Sequence, residues 1–316
     1  MKRVLVVHYS QSGQLSAVLH SITAPLERDP DIEVVYENLK PVQDFPFPWS
    51  FFRFLDAFPE SVYLDPPEMQ PLSVDPSSRF DLIILGYTVW YLSPSQPITG
   101  FLKSDAGRRL LKGTPVVTVT ACRNMWLKAQ EKVKAMLADA GALHIDHAAL
   151  IDQGPAAATF FSTPRWLLTG RKDAFWGFPP AGIAESEIAG ASRFGRAIAA
   201  ALRNGDVLAQ APLLRGLEAV KVDDRLIASE HIAHRSFLIW GKLLRKVGKP
   251  GAPQRLPVLL LYVTFLITMI AVVVLPSMVV RVLLRPLSKK RTGAQKAAYE
   301  LPSGSESFRM QDFAND

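Results

Sequence analysis

The chain contains a single cysteine, Cys122, in 316 residues. No intrachain disulfide can form, so the fold must be held without covalent cross-links. No secretory leader is expected in MKRVLVVHYSQSG, whose apolar part is short and turns polar quickly. The body is therefore expected in the cytoplasm. Two nucleotide signatures are missing from the first loop, SQSGQL at 10–15. It has no lysine for a terminal phosphate, as G-x-x-x-x-G-K-[ST] requires, and it is not G-x-G-x-x-G. No internal repeat, no Ser-His-Asp arrangement and no metal site stands out, and no metal is expected. His231 and His234 sit three apart without further ligands.

Charge is missing from one long stretch. Leu256 to Val280 is a run of 25 residues without Asp, Glu, Lys or Arg, more than the ~20 a membrane-spanning helix needs. The net charge of +7 is concentrated around that run, because residues 221–316 hold 15 Lys+Arg against 7 Asp+Glu. Lys242, Arg245, Lys246, Lys249 and Arg255 precede it, and Arg281, Arg285, Lys289, Lys290 and Arg291 follow it. Basic residues beside an apolar segment suit anionic lipid headgroups. Nucleic acid is not an expected partner, since no motif and no basic folded domain accompanies the charge. The expected membrane segment is 256–284. Both flanks are basic, so the charge rule gives no orientation. Two spans would need roughly 40 apolar residues. A single span is the expectation, with a monotopic segment bent at Pro276 as the alternative.

What is present upstream is a rhythm. Strand-like runs occur at 4–10, 32–39, 80–87, 114–121 and 143–152, with helical patterns at 14–27, 126–141 and 185–205 between and after them. Continuous Val/Ile/Leu runs alternating with helices predict an α/β fold: a three-layer, doubly wound, parallel five-stranded sheet. Two stretches rich in aromatics break the rhythm, 41–78 and 155–184, and they read as packing over the sheet edges, as an apolar lid over a substrate, or as a docking face for a partner. The organisation expected is a domain over 1–205, a basic amphipathic helical connector over 206–255, the membrane segment, and a disordered polar basic tail over 285–316.

In such sheets ligands bind outside the carboxyl ends of the strands. The first loop offers Ser10 and Ser12 hydroxyls, helix N-terminal N–H groups and a glycine, Gly13, which together suit a phosphate. After the third strand, GYTVWYLSPSQPITGFLK (86–103) puts the rings of Tyr87, Trp90 and Tyr91 at the same edge. After the fourth, TACRNMW (120–126) offers Asn124 as a cap for the next helix. Phosphate cradle and rings describe a site for a planar heterocycle on a phosphorylated tail. Arg123 could stabilise negative charge there. Cys122 is conceivable as a redox group but reads as a lone small hydrophobe, and His144 and His147 as ordinary strand residues.

These three loops resemble the FMN-contacting loops of the flavodoxin-like family, including its quinone-reductase branch. The resemblance spans about residues 1–205. It implies FMN phosphate at Ser10, Ser12, Gly13 and Gln14, isoalloxazine contacts from Thr88, Val89, Trp90 and Tyr91, further ring or ribityl contacts near Ala121, Cys122, Arg123 and Asn124, and a cofactor site that also takes in Gln11, Leu15 and Tyr87. Leu15 departs from the threonine of many flavodoxins and matches quinone-reductase relatives. More narrowly, YSQSGQL, TACRNMW followed by AQEKVK, and VKVDDRLIASEHIAHRSFLIWGKLLR resemble the dialkylresorcinol condensing enzymes, flavodoxin-like proteins that accompany a ketosynthase. That resemblance implies an FMN-dependent oxidoreductase acting on a quinone-like or alkyl-resorcinol (cyclohexanedione) intermediate of dialkylresorcinol or aryl-polyene biosynthesis, and the apolar run adds the expectation that it is held at the cytoplasmic membrane. NAD(P)H is a candidate electron donor, and Arg123 and Asn124 are candidate catalytic residues. The alternative is a non-catalytic scaffold that docks a ketosynthase-type partner at the membrane.

Overall fold

Alternation along the first strand decides the layers. In β1 (Lys2–His8) Val4 and Val6 enter one hydrophobic core while Leu5 and Val7 enter another, and all four are fully buried. A strand buried on both faces must run inside a sheet that is covered on both sides. The structure, a computed structural model, describes residues 1–209, 212–270, 272 and 293–314. The sheet joins β1 to β2 (Ile32–Asn38), β3 (Leu82–Tyr87), β4 (Pro115–Cys122) and β5 (Leu143–Ile151). Every pairing is parallel, and the order is β2-β1-β3-β4-β5. This is the flavodoxin-like doubly wound order, and the expected α/β architecture is present.

Helices α1 (Gln14–Glu27), α2 (Phe51–Asp56), α3 (Phe58–Tyr63), α4 (Gln96–Lys103), α5 (Asp105–Leu111) and α6 (Leu127–Asp139) lie between the strands. After β5 come α7 (Ala156–Thr169), α8 (Glu185–Gly190), α9 (Ser192–Asn204), α10 (Asp224–Val247) and α11 (Arg255–Met269). Leu15, Val18, Leu19, Ile22 and Leu26 of α1 fall on one helical stripe and are buried with Phe194, Ile198 and Leu202 of α9. Gly195 makes that approach possible, since a Cβ there would overlap the Ile22 carbonyl of α1. Helices α4, α5 and α6 cover the opposite face through Ile98, Phe101, Leu111, Val133 and Leu137.

The C-terminal part departs from expectation. Residues 206–255 do not form a mere connector: Leu213, Leu214, Leu217, Val220, Val222 and Ile227 belong to the main core, so the packed body extends well past 205. Helices α10 and α11 build a third core with α2 and α3, centred on Leu55, Phe58, Leu244, Leu259 and Tyr262. Among the described residues no helix is long and apolar enough to cross a membrane. The expected segment 256–284 is described over 256–270 and at 272; Pro276, Arg281 and the basic residues at 285 and 289–291 lie outside the described residues. In the described part, Leu259 and Tyr262 are buried against the protein while Leu256, Leu260, Leu261 and Ile267 are exposed.

The tail, expected to be disordered, is built into the fold over 293–314. Residues 293–300 are helical, and the chain then packs beside β5. The physical reason is that β5 is an edge strand, whose unpaired backbone groups need a partner. Ala149 donates to the Ala219 carbonyl (2.8 Å), and Glu218 and Val220 donate to the carbonyls of Glu306 (2.8 Å) and Gly304 (3.1 Å). A bulge at Ile145, between the Val116–His144 and Val117–Asp146 pairs, sets the buried Asp146 carboxyl among these segments. It accepts from the Leu214 N–H (2.6 Å), the His147 N–H (3.0 Å) and the Ser303 hydroxyl. Ser303→Ala removes one donor from a buried carboxyl and is expected to cost roughly 1–3 kcal/mol. The urea midpoint measures this; an unchanged midpoint would mean that the Ser303–Asp146 bond contributes nothing to stability.

Candidate functional site

In this strand order the direction of winding reverses between β1 and β3, and the crevice at their carboxyl ends is the place for a ligand. The loop after β1 is shaped for an anion. Gly13 adopts φ 81°, where a side chain is strained, and a Cβ there would touch no atom within 4 Å. Gly13 has no side chain with which to cap α1, and the first turn carries no acidic residue, so no negative side chain of that turn opposes the positive end of the helix dipole. Ser10 Oγ accepts from the Ser16 N–H at 3.3 Å, which fixes the turn, and Ser12 is exposed. Leu15 lies in the main core at 1% exposure, so its side chain faces away from this crevice.

The two aromatic insertions meet over this loop. Gln11 donates to the Pro46 carbonyl (2.6 Å) and accepts from the Trp49 indole N–H (2.9 Å), so its side chain straps the first insertion down. The Trp49 N–H donates to the Leu167 carbonyl of α7 (2.8 Å), and Phe47 meets Trp166 edge-on. The Gln14 amide lies against Gly182, where a Cβ would overlap it. Asp152, at the end of β5, accepts from the N–H groups of Gly154 (2.7 Å) and Gly182 (2.8 Å) and so fixes both ends of the second insertion. An aspartate followed by Gln-Gly-Pro is a turn signal that could have singled it out.

The second loop divides its residues. Tyr87 is fully buried and donates to Gln130 Oε1 at 2.5 Å, so its ring is part of the core and not of the crevice. Thr88 Oγ1 is buried and has no hydrogen-bond partner among the described residues. Val89–Trp90 and Ser93–Pro94 form a tight hairpin whose two turn residues, Tyr91 and Leu92, have φ of 50° and 59°. Such a turn ordinarily takes Asn-Gly, so strain is held beside the crevice. Trp90 is half-buried among Tyr9, Phe45 and Trp49. Tyr91 turns away: its hydroxyl donates to the Phe54 carbonyl (2.5 Å) and its ring packs on Phe54 and Phe58.

The third loop is committed to the fold. Ala121 is buried. Burial, with Glu230 nearby, pushes the Cys122 thiol up, which keeps it protonated and unreactive. Arg123 donates to Thr159 Oγ1 (3.0 Å) and covers the Phe160 ring, holding the second insertion to this loop. Asn124 does not cap α6; its Oδ1 accepts from the Met125 N–H (2.9 Å). The cap comes from Glu230 of α10, whose Oε1 accepts from the Lys128 N–H at 2.6 Å. Sequence reasoning missed Glu230, although it lies with Ile227, Gly241 and Leu244 on the buried stripe of α10. His144 and His147 lie far down β5, bonded to Thr118 Oγ1 at 3.0 and 2.9 Å. Burial lowers both, His144 to about 4, so they are neutral structural groups.

No family model and no curated protein matches the chain. Similar solved structures include a flavoprotein in complex with FMN from Lactobacillus acidophilus NCFM, at 24% identity and a TM-score of 0.38, covering 47% of this chain and 93% of that one. A flavodoxin from the domain Archaea is 13% identical over 64% of this chain and 99% of its own, with a TM-score of 0.34. Oxidised flavodoxin 1 from Bacillus cereus is 17% identical over 48% and 87%, with a TM-score of 0.29. The fold assignment rests on the strand order and connections of this chain, not on these likenesses.

Burial raises the Glu230 carboxyl from its ordinary 4.5 to about 7, against the opposing pull of the Lys128 N–H. A carboxyl that stays protonated in the fold while ionised in the unfolded chain favours folding at low pH. That advantage is lost as pH rises through 7. The stability of the wild type relative to Glu230→Gln should therefore fall by roughly 2–3 kcal/mol between pH 5 and 8. Denaturant unfolding of both proteins at the two pH values tests it; parallel curves would place Glu230 outside this account.

Proposed function

We propose that the chain binds FMN at the β1–β3 crevice and works as a flavin-dependent oxidoreductase on an apolar, quinone-like substrate. One observation carries the reading: the N-terminus of α1, entered through an open glycine and free of acidic residues in its first turn, stands beside an aromatic loop that holds a buried hydroxyl, Thr88 Oγ1, without a hydrogen-bond partner among the described residues. The Ser10–Gln14 backbone and the Ser12 hydroxyl would take the phosphate, and Thr88, Val89 and Trp90 would border the ring. Bound there, FMN supplies hydride or electron exchange. The chain's own part is to orient the ring, to shield it from water with the two aromatic insertions, and to hold the third loop through Arg123 and Glu230.

The narrower proposal is oxidation of an alkyl-resorcinol or cyclohexanedione intermediate in dialkylresorcinol or aryl-polyene-type synthesis, with NAD(P)H as electron donor and a ketosynthase nearby. Support comes from a series of ring contacts that links Trp90 to the C-terminal helices. It passes through Trp49, Phe54, Tyr91 and Phe58 to Tyr262, which stacks on Phe58 at 4.8 Å. We also propose that the protein sits on the cytoplasmic face of the membrane through its apolar C-terminal run. The second reading, a scaffold without catalysis, draws on the engagement of Arg123 and Asn124 within the fold.

FMN titration followed by flavin fluorescence separates the two. The wild type should bind, and Ser12→Ala combined with Gly13→Val should weaken binding at least tenfold, since it removes a hydroxyl donor and strains the turn. Unchanged affinity in the folded double variant would move the phosphate elsewhere, and a wild type that refuses FMN would favour the scaffold.

A further inference from the structure

We propose that both ends of the apolar run stand on one side of an anionic bilayer, so that the chain docks on the membrane and does not cross it. The proposal rests on the membrane attachment put forward above and changes its form, since a single span was the expectation from sequence.

The outgoing end is fixed to the body by Arg255, which is 1% exposed. Its guanidinium donates to both oxygens of Glu60 (2.6 and 3.1 Å) and to Asp56 (3.2 Å), and its Nε–H to the Gly248 carbonyl (2.8 Å). The returning end is fixed to the same body. Ser303 is fully buried on Asp146, the N–H groups of Glu218 and Val220 bond the carbonyls of Glu306 and Gly304, and the Arg309 N–H reaches the Gly216 carbonyl (2.9 Å). A single crossing would put residues 293–314 across the membrane from β5 and break every one of these bonds. Two crossings need roughly 40 apolar residues, and the uncharged run has 25. A one-sided arrangement satisfies both limits.

The surface beside the outgoing end suits that arrangement. Ile239 and Leu243 of α10 and Leu256, Leu260, Leu261 and Ile267 of α11 are large apolar residues exposed by 43–71%. Helices α10 and α11 pack side by side through Trp240 on Tyr262 and Phe265. Lys242, Lys246 and Lys249, all exposed, border these residues in sequence. Exposed apolar residues flanked in sequence by exposed lysines complement an anionic lipid surface and would be poor partners for a basic or neutral one.

Two measurements on the full-length chain test this. In flotation with vesicles, binding should be strong to phosphatidylglycerol and weak to phosphatidylcholine. Lys242→Gln/Lys246→Gln/Lys249→Gln should weaken the former roughly a hundredfold, at about fivefold per lysine. For sidedness, single cysteines are placed at Ser77, on the body, and at Ser307, in the tail, each in a Cys122→Ala background. Both positions are exposed. An impermeant maleimide applied to intact cells should label both or neither, and permeabilisation should equalise them. Membrane-bound protein labelled at only one position overturns the one-sided arrangement. Protein that floats with neither vesicle and leaves the membrane fraction overturns membrane attachment itself.

Discussion

A parallel sheet solves its own hydrogen bonding in the middle and leaves it open at two places, the ends of the strands and the outer strands. Much of this protein is arranged around those two openings. At the carboxyl ends, β1 delivers its chain into α1 through Gly13, and the helix begins with its Ser16 N–H on Ser10 Oγ and no acidic residue in its first turn. At the edge, β5 donates into the 212–222 segment, which in turn pairs with the tail. The first opening is where the anion site proposed above would lie. The second yields a body that cannot be complete without its last residues, because a buried carboxyl, Asp146, is satisfied by groups from positions 214 and 303.

The insertions make sense as a consequence of the first opening. A crevice lined only by backbone and small polar residues would be flooded with water, which weakens every electrostatic contact inside it. Here Trp49 and Phe47 come from one insertion and Trp166 and Leu167 from the other, and they meet over the loop while Gln11 holds the first in place. The same insertion continues into α2 and α3, whose Phe58 stacks on Tyr262 of α11. The cover of the crevice and the apolar C-terminal helices are thus one packed unit.

Local pattern made the strands, the long helices and the three loops legible, because those follow from period and from residues adjacent in sequence. It failed wherever a side chain had a choice of direction. Tyr87 ends a strand and would face the crevice if the loop alone decided, yet Gln130, 43 residues on, offers its hydroxyl an acceptor inside the core. Leu15 sits in the phosphate loop by sequence and in the core by helical phase. Asn124 had the right type and position for a cap, but α6 starts three residues later and takes its cap from α10. The tail was misread because its composition is polar and basic. Its order comes from a strand edge more than 150 residues away, which no local window contains.

Glu230 shows how the site and the C-terminal helices are joined. A carboxylate at a helix N-terminus is ordinarily supplied by the residue before the helix, at the surface, where ionisation costs little. Here Trp126 occupies that position and cannot accept, so the orphan N–H of Lys128 would be left unpaired in the interior. Glu230 reaches in from α10 and supplies one oxygen, while its other oxygen stays buried without a partner among the described residues. That costs stability when the group is charged, and the cost is tolerable because burial raises its pKa to about 7. The start of α6 sets the conformation of the 121–126 loop, so a helix whose outer face carries Ile239 and Leu243 also braces the third wall of the crevice. The Glu230–Lys128 bond thus ties α10 directly to the start of α6 and to the loop that precedes it.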